Sequence, residues 1–150
     1  MANDRFRGHS THTLDGKGRV SIPAKIRSVL TVLNASSLVL VPWNDHLRAY
    51  PEDEWAKYED RLLGDGVKKG MGRLLRALVN NSITTSVDKQ GRLLISPIHR
   101  EKLNLKKELV VAGNVHWFEF WDPQVYEKEN AETLEDFSKY EEELSEIGLL

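Results

Sequence analysis

An internal duplication is the feature that most constrains this chain. Residues 11–23 read THTLDGKGRVSIP, and most of that pattern returns at residues 85–97 as TSVDKQGRLLISP. A constant offset of 73 relates the two copies, so that Asp15 meets Asp88 and Arg19 meets Arg92. One such half hardly buries a hydrophobic core by itself, so we expect the two copies to pack together about a pseudo-two-fold axis. That axis would bring residues 15–19 (the first loop) close to residues 88–92 (the second loop).

Each loop has the chemistry of a tight β-hairpin turn. Gly16 is replaced by Lys89 in the second copy, whereas Gly18 returns as Gly91, so the second glycine is the one that the backbone requires at positive φ. Asp15 and Asp88 open the loops, where a carboxylate can accept hydrogen bonds from loop amides. The structural hairpin residues predicted here are Asp15, Gly18, Asp88 and Gly91.

The arginine four residues after each aspartate can be interpreted in two ways. Arg19 and Arg92 start the outgoing strands, near enough to Asp15 and Asp88 for a charge-assisted pair. The whole motif could serve only to stabilise the hairpin. We favour a functional surface for the arginines, because one guanidinium would be enough to stabilise the hairpin and other basic residues accumulate beside it.

The remaining pattern predicts helices and strands in the same order in both halves. We expect a helix at about 23–33, strands at 38–41 and 47–50, and a helix from Pro51 that Gly64 and Gly66 break. A further helix should carry an apolar stripe from Val67 to Val79 that packs on the core, with basic residues on its opposite face. The second half repeats this plan with a helix from Ser96 to about Leu105 and strands at 108–113 and 116–121, joined by a turn at Asn114. An amphipathic C-terminal helix would then dock on the body or on a neighbouring subunit.

Charge is divided unevenly along the chain. Net charge is −2 overall, but residues 119–150 hold 11 acidic and 2 basic residues while residues 1–118 hold 12 acidic and 19 basic residues. A basic body with an acidic tail indicates an anion-binding part and a part that the same anion would repel. No apolar run approaches the roughly 20 residues of a membrane span, and no signal-peptide pattern opens the chain. The absence of cysteine fits a reducing cytoplasm.

A specific set of residues resembles the MraZ family, a bacterial branch of the SpoVT/AbrB, or swapped-hairpin, superfamily. These residues are Phe6-Arg7-Gly8, the two loops with Pro23 and Arg27, and the segment 118–122. The resemblance covers essentially the whole chain. It implies an α+β fold in which two AbrB-like halves form a pseudo-two-fold, swapped-hairpin β-barrel with peripheral helices and a C-terminal helix. We accordingly expect a first repeat at 6–52, linking helices at 53–82, a second repeat at 83–124 and an acidic C-terminal helix at 125–150.

The same resemblance implies a function. Members of the family are cytoplasmic, nucleoid-associated transcriptional regulators of the division and cell-wall gene cluster, including their own promoter. They assemble into ring-like homo-oligomers that read tandem repeats in double-stranded DNA. No enzyme activity, cofactor or membrane contact is expected.

The resemblance also implies which side chains reach DNA. It carries that role onto Arg19 and Arg92, and Lys17 and Arg27 match basic positions of the family. Gln90 stands where the first copy has Lys17, so the two halves should contribute unequally. By their chemistry, lysine suits phosphate and arginine suits either phosphate or guanine. The remaining candidates on this basis are Lys25, Lys89, Arg7 and Arg100.

Three other functions were weighed against DNA binding. Paired aspartates are typical of aspartic proteases, but Arg19 and Arg92 would hold both carboxylates ionised. His9 and His12 are spaced for a metal, yet no further ligand-rich spacing accompanies them, and no metal is expected. The serious alternative is an oligomeric scaffold or antitoxin-like module that binds a protein through its acidic helix.

Overall fold

Eight antiparallel strands in two sheets form the centre of the protein. The structure is a computed structural model that describes residues 3–66 and 69–150. The strands are β1 (His9–Thr13), β2 (Arg19–Ser21), β3 (Leu38–Pro42), β4 (Leu47–Pro51), β5 (Ile83–Thr85), β6 (Arg92–Leu94), β7 (Glu108–Asn114) and β8 (Trp117–Trp121).

Six α-helices accompany these strands in the described residues, which confirms the α+β class. They are α1 (Ala24–Val32), α2 (Glu52–Arg61), α3 (Gly72–Asn80), α4 (Pro97–Lys102), α5 (Pro123–Glu135) and α6 (Glu141–Glu146). The helix starts follow from the sequence. Ser96 caps α4 by accepting a hydrogen bond from the His99 amide, and Asp122 caps α5 in the same way. Pro97 and Pro123 occupy the first helical positions, where a missing N–H costs nothing.

The strand pairing joins the two halves of the chain. The larger sheet has the order β1-β7-β8-β4-β3-β5, and β2 pairs with β6 in a separate two-stranded sheet. Strand β1 of the first half therefore pairs with β7 of the second, and β5 of the second half pairs with β3 of the first. Within the described residues the strands form these two sheets and do not close into one barrel. The β-barrel that the family resemblance implies is therefore not observed.

The main core lies on the inner face of the larger sheet. Alternate residues of each strand point to opposite faces, so Leu38 and Leu40 join the inner core while Val39 and Val41 face outward. The inner core also holds Phe6, which is 1% exposed and is tied to the body by backbone hydrogen bonds to Val115. The outer face is covered at one end by Trp55 of α2 and Leu78 of α3, and at the other end by Tyr126 of α5.

Three local predictions were wrong. Gly64 and Gly66 do not break the helix, because the chain continues from α2 as a π-helical turn over Leu62–Gly66. Asn114 belongs to β7, and the turn that follows has Val115 at a φ of +64°. Helix α4 ends at Lys102, short of the expected Leu105.

The apolar stripe of the linking helix is not a core stripe. Of the apolar residues in α3, Leu78 is buried, whereas Leu74 is 47% exposed and Val79 is 39% exposed. Val67, predicted to begin the stripe, and Lys68, predicted for the opposite face, lie outside the described residues. Helix α3 therefore presents apolar side chains to solvent.

The predicted single C-terminal helix is interrupted. A 3-10 turn over Phe137–Tyr140 separates α5 from α6, since the backbone leaves the α conformation at Asp136. The apolar residues of this segment, expected to dock, are exposed: Leu134 at 60%, Phe137 at 51% and Ile147 at 71%. None of the helices in the described part of the chain has the length and apolar character that crossing a bilayer requires.

Candidate nucleic-acid interface

The first loop is held together by the side chain of Asp15. Its Oδ1 accepts hydrogen bonds from the backbone amides of Lys17 and Arg19, each at 2.9 Å. Its Oδ2 accepts from Arg19 Nε at 2.8 Å. The Arg19 amide and guanidinium therefore converge on one carboxylate, and the terminal guanidinium nitrogens of Arg19 have no hydrogen-bond partner among the described residues.

The second loop repeats this arrangement with one difference. Asp88 Oδ1 accepts from the amides of Gln90 and Arg92, at 2.8 and 2.9 Å, and Oδ2 lies 3.4 Å from Arg92 Nε. The Gln90 side chain also accepts a hydrogen bond from Arg92 Nη2. The Arg92 guanidinium is thus held by two side chains of its own loop, where Arg19 is held by one.

Both aspartates stay ionised. Backbone hydrogen bonding from Arg19, helped by its side chain and by the Lys17 amide, lowers the pKa of Asp15 to about 2. Hydrogen bonding from the Arg92 and Gln90 amides lowers the pKa of Asp88 as well. Two carboxylates that are each neutralised within their own loop cannot hold the shared proton of an aspartic protease.

A glycine at positive φ closes each loop and packs against an arginine of the other half. Gly18 has a φ of +85°, and a Cβ at this position would lie 2.8 Å from Arg100 Cζ. Gly91 has a φ of +77°, and its Cβ would lie 3.2 Å from Arg27 Nε. Only glycine fits the loop here, because a side chain would need both an unfavourable φ and the space of a guanidinium.

These two arginines are positioned by the backbone that follows each loop. Arg27 Nε donates to the Ile22 carbonyl at 3.0 Å, and Arg100 Nε donates to the Ile95 carbonyl at 3.1 Å. Each guanidinium then lies over the glycine of the opposite loop. The offset of 73 relates Arg27 to Arg100, but a pattern along the chain could not show that each one crosses to the other half.

The strands that leave the two loops lie side by side. Strand β2 pairs antiparallel with β6, and this pairing continues past the strand ends. The Ile22 amide donates to the Gly91 carbonyl at 2.8 Å, and the Ile95 amide donates to the Gly18 carbonyl at 2.9 Å. The two loops are therefore joined by a two-stranded ribbon.

The other predicted basic residues fall into two places. Lys17 and Lys89 are exposed on the loops themselves. Arg7 and Lys25 are also exposed, and they line one cleft together with Gly8 and Pro23 at the start of α1. Among the described residues, the ion pairs of these loop and cleft cations are those of Arg19 and Arg92 with the loop aspartates. A surface that carries such a set of cations attracts a polyanion.

His9 and His12, whose spacing would suit a metal site, make other contacts. His12 Nε2 lies 2.7 Å from Ser10 Oγ, and partial burial lowers the pKa of the His12 ring. The His9 ring lies 5.4 Å from that of Tyr126. Among the described residues, no group of three or more metal-ligating side chains comes together.

A buried polar cluster on the outer face was missed by sequence reasoning. Glu119, which is 7% exposed, accepts hydrogen bonds from the indole N–H groups of Trp117 and Trp121, at 2.8 and 2.9 Å. The His46 ring stacks on Trp121 with centroids 4.2 Å apart, and the Arg48 guanidinium lies 4.0 Å from the Trp43 ring centroid. The alternation Trp-Phe-Glu-Phe-Trp at residues 117–121 was the available signal, because it places all three polar-tipped residues on one face.

The charge of Glu119 is stabilised within this cluster. Burial alone would raise its pKa, but the contacts with His46, Trp117 and Trp121 together lower the pKa to about 2. The carboxylate therefore remains ionised at neutral pH and holds the Trp117 and Trp121 side chains on the outer face of the sheet.

Comparison with known proteins agrees with this architecture. The model of a family described as "MraZ protein, putative antitoxin-like" matches residues 5–75 and 79–148. A protein of Oenococcus oeni named Transcriptional regulator MraZ is 37% identical over 147 residues, which cover 96% of this chain and 99% of the relative. Proteins of the same name from Syntrophobacter fumaroxidans and Leuconostoc citreum are 33% and 35% identical, over 99% and 93% of this chain and 100% and 96% of their own lengths. A match across both halves at this identity shows that the chain belongs to the MraZ family.

Proposed function

We propose that this protein is a DNA-binding transcriptional regulator that contacts double-stranded DNA through its two loops. The observation that carries the proposal is the pair of loops joined by the β2–β6 ribbon, each with an arginine at its outgoing end. The relatives named transcriptional regulators support the same function.

We assign the DNA contact to the major groove. That groove is about 12 Å wide in B-DNA and admits a two-stranded β-ribbon. Arg19 is anchored at Nε by Asp15 and leaves its terminal nitrogens for the guanine O6 and N7 acceptors. Anchoring at Nε removes rotamer freedom before binding, so less entropy is lost when the guanidinium meets a base.

Phosphate contacts would come from the surrounding cations. Lys17, Lys25 and Lys89 provide point charges at the loops and the cleft. Arg7 and the crossing pair Arg27 and Arg100 can contact either phosphate or a base. Binding would release counterions from DNA and would weaken steeply as salt rises.

The finer parts of the proposal follow the family resemblance. The two halves would be swapped-hairpin repeats at 6–52 and 83–124, joined by the linking segment 53–82 and followed by the acidic segment 125–150. The protein would act in the cytoplasm on the nucleoid, at promoter repeats of the division and cell-wall gene cluster, including its own. A ring of copies would engage successive repeats together and gain affinity by effective concentration.

The experiment is an electrophoretic mobility shift with DNA from upstream of the protein's own gene, across a salt series. Arg19→Ala should lose at least about 10-fold in affinity, which corresponds to one good arginine–guanine contact. Arg61→Ala is the matched control, because Arg61 is an exposed arginine whose guanidinium lies over Tyr58 in α2, away from both loops. Equal shifts by wild type and both variants, or no shift by wild type at low salt, would contradict the proposal.

A protein-binding scaffold or antitoxin-like module is the second candidate. Two observations favour it: the exposed apolar side chains of the acidic tail and the antitoxin-like description of the family. If the protein is such a scaffold, Arg19→Ala should leave binding of the protein partner unchanged. If it is a DNA-binding regulator, the same substitution should weaken DNA binding.

A further inference from the structure

We infer that the acidic tail of one copy docks its apolar face into a groove beside α3 of the next copy. This inference rests on the self-assembly included in the proposed function, and it names the two surfaces that make the contact. It follows from two apolar surfaces that are exposed at different places in the fold and carry opposite charge.

The first surface is the tail apolar face, defined by Leu134, Phe137, Tyr140, Leu144 and Ile147. The 3-10 turn at Phe137–Tyr140 bends the chain so that α5 and α6 contribute to one shallow apolar cleft. Every residue that lines this cleft lies between 133 and 147, so the body does not cover it. Leu134 and Ile147 are each more than half exposed.

The second surface is the α3 groove, defined by Pro42, Trp43, Leu74, Ala77, Leu78 and Lys102. It lies between the end of β3 and helix α3. Leu74 is 47% exposed at its rim, although Leu78 one turn later is buried at its floor. The exposed stripe that was expected to enter the core instead forms one wall of this groove.

The two surfaces carry opposite charge. Residues 133–147 hold six acidic side chains and one basic one. Residues 69–81 hold three basic side chains, Lys69, Arg73 and Arg76, and no acidic one, and Lys102 adds a fourth cation at the groove. An acidic amphipathic helix and a basic groove with an apolar floor are complementary in both respects, which favours this tail over a neutral or basic partner.

Their positions in the fold select a second copy as the occupant. Helix α5, which leads into the tail, packs beside β7, whereas α3 packs beside β3. Strands β8 and β4 lie between these two in the sheet, so α3 and α5 lie at opposite ends of the outer face of one molecule. Two different, mutually complementary surfaces on one chain make a head-to-tail contact that continues from copy to copy, and it closes as a ring when the rotation between copies closes.

The test uses the mass of the full-length protein measured by light scattering. Leu74→Glu would place an acidic group in the groove, and Phe137→Glu would do so on the tail apolar face. Wild type should exceed two copies, while each variant alone should fall to a single chain of 17.2 kDa. Mixing the two variants restores one intact groove and one intact tail, so the mixture should form a two-chain complex and nothing larger.

Val32→Glu is the matched control, because Val32 is 46% exposed on α1, outside both surfaces. This variant should assemble as wild type does. Circular dichroism verifies that all three variants fold. Since the chain has no cysteine, Leu74→Cys in one copy and Leu134→Cys in another should also form an oxidative cross-link only when the two are mixed.

Several outcomes would overturn the inference. A wild-type protein that is a single chain in solution would show that the tail does not dock on a second copy. Variants that assemble like wild type place the contact elsewhere, and a mixture that stays as single chains shows that the two surfaces do not meet. If wild type assembles as expected but does not shift DNA, the proposed function is wrong and the contact between the tail and the α3 groove is still supported.

Discussion

The first and second loops share one backbone conformation but differ in what their arginines can reach. In both, an aspartate accepts two loop amides and an arginine Nε, and a glycine at positive φ closes the turn. Arg19 is held by Asp15 alone at 2.8 Å, while Arg92 is held by Asp88 at 3.4 Å and by Gln90. Gln90 at the position of Lys17 therefore gives the neighbouring arginine a partner, while Lys89 keeps one lysine in the second loop. The difference teaches that two copies can share one backbone scaffold while their arginines are held by different partners.

The largest expected effect separates the two arginines. Arg19→Ala should weaken binding of the operator DNA by about 10- to 100-fold, the cost of one lost bidentate contact. Arg92→Ala should weaken the same binding by only about 3-fold, because the Arg92 guanidinium must give up its hydrogen bond to Gln90 before it can contact a base. Fluorescence anisotropy at fixed salt measures both. Equal losses for the two variants would show that the loops contribute equally despite their different contacts.

A smaller effect concerns the loop glycines. Gly18→Ala should lower the free energy of unfolding by about 1–3 kcal/mol, the cost of placing a side chain at positive φ, with a further contribution from the close contact to Arg100. Gly91→Ala should cost less, because its Cβ would meet Arg27 at 3.2 Å instead of 2.8 Å. Urea unfolding gives the comparison. Gly16→Ala is the control and should change little, since nothing lies within 4 Å of its Cβ.

Gln90→Lys should make the second loop resemble the first. It removes the partner of Arg92 and adds a positive charge at the position of Lys17, beside the lysine that the loop already has at Lys89. Affinity at low salt should rise a few-fold, and the dependence of log affinity on log salt should steepen by about 0.9 for one added phosphate contact. Gln90→Ala frees Arg92 without adding charge, so it should raise affinity with an unchanged slope. A steeper slope with Gln90→Ala would contradict this account.

The smallest effect is a pH dependence of stability. The folded-state pKa of Asp15 is about 2, below its ordinary 3.8, so its ionised form stabilises the fold. That contribution is complete above about pH 4 and is lost as pH falls from there toward 2. Asp15→Asn should lack this loss, so its unfolding midpoint should approach that of wild type as pH falls through this window. Glu119 titrates in the same range, and the difference between variant and wild type at each pH isolates Asp15. Asp88→Asn provides the comparison between loops.

Much of the fold followed from local patterns. The helix start at Ser96 and the strand pairs that follow each loop, β3 with β4 and β7 with β8, match the expectations from sequence. The apolar stripe of α3 and the apolar residues of the tail did not end in the core. Periodicity predicts that a face is apolar, but it does not say whether the same chain or another surface covers it.

The sequence by itself determined the duplication, the loop aspartates and the two glycines that need positive φ, because these depend on contacts within about five residues. Only the tertiary structure decided that Arg27 and Arg100 cross to the opposite loop and that His46 stacks on Trp121 beside Glu119. Those contacts depend on how strands and side chains from distant positions meet. Their energies belong to pairs of residues, and the order of residues along the chain does not specify the pairs.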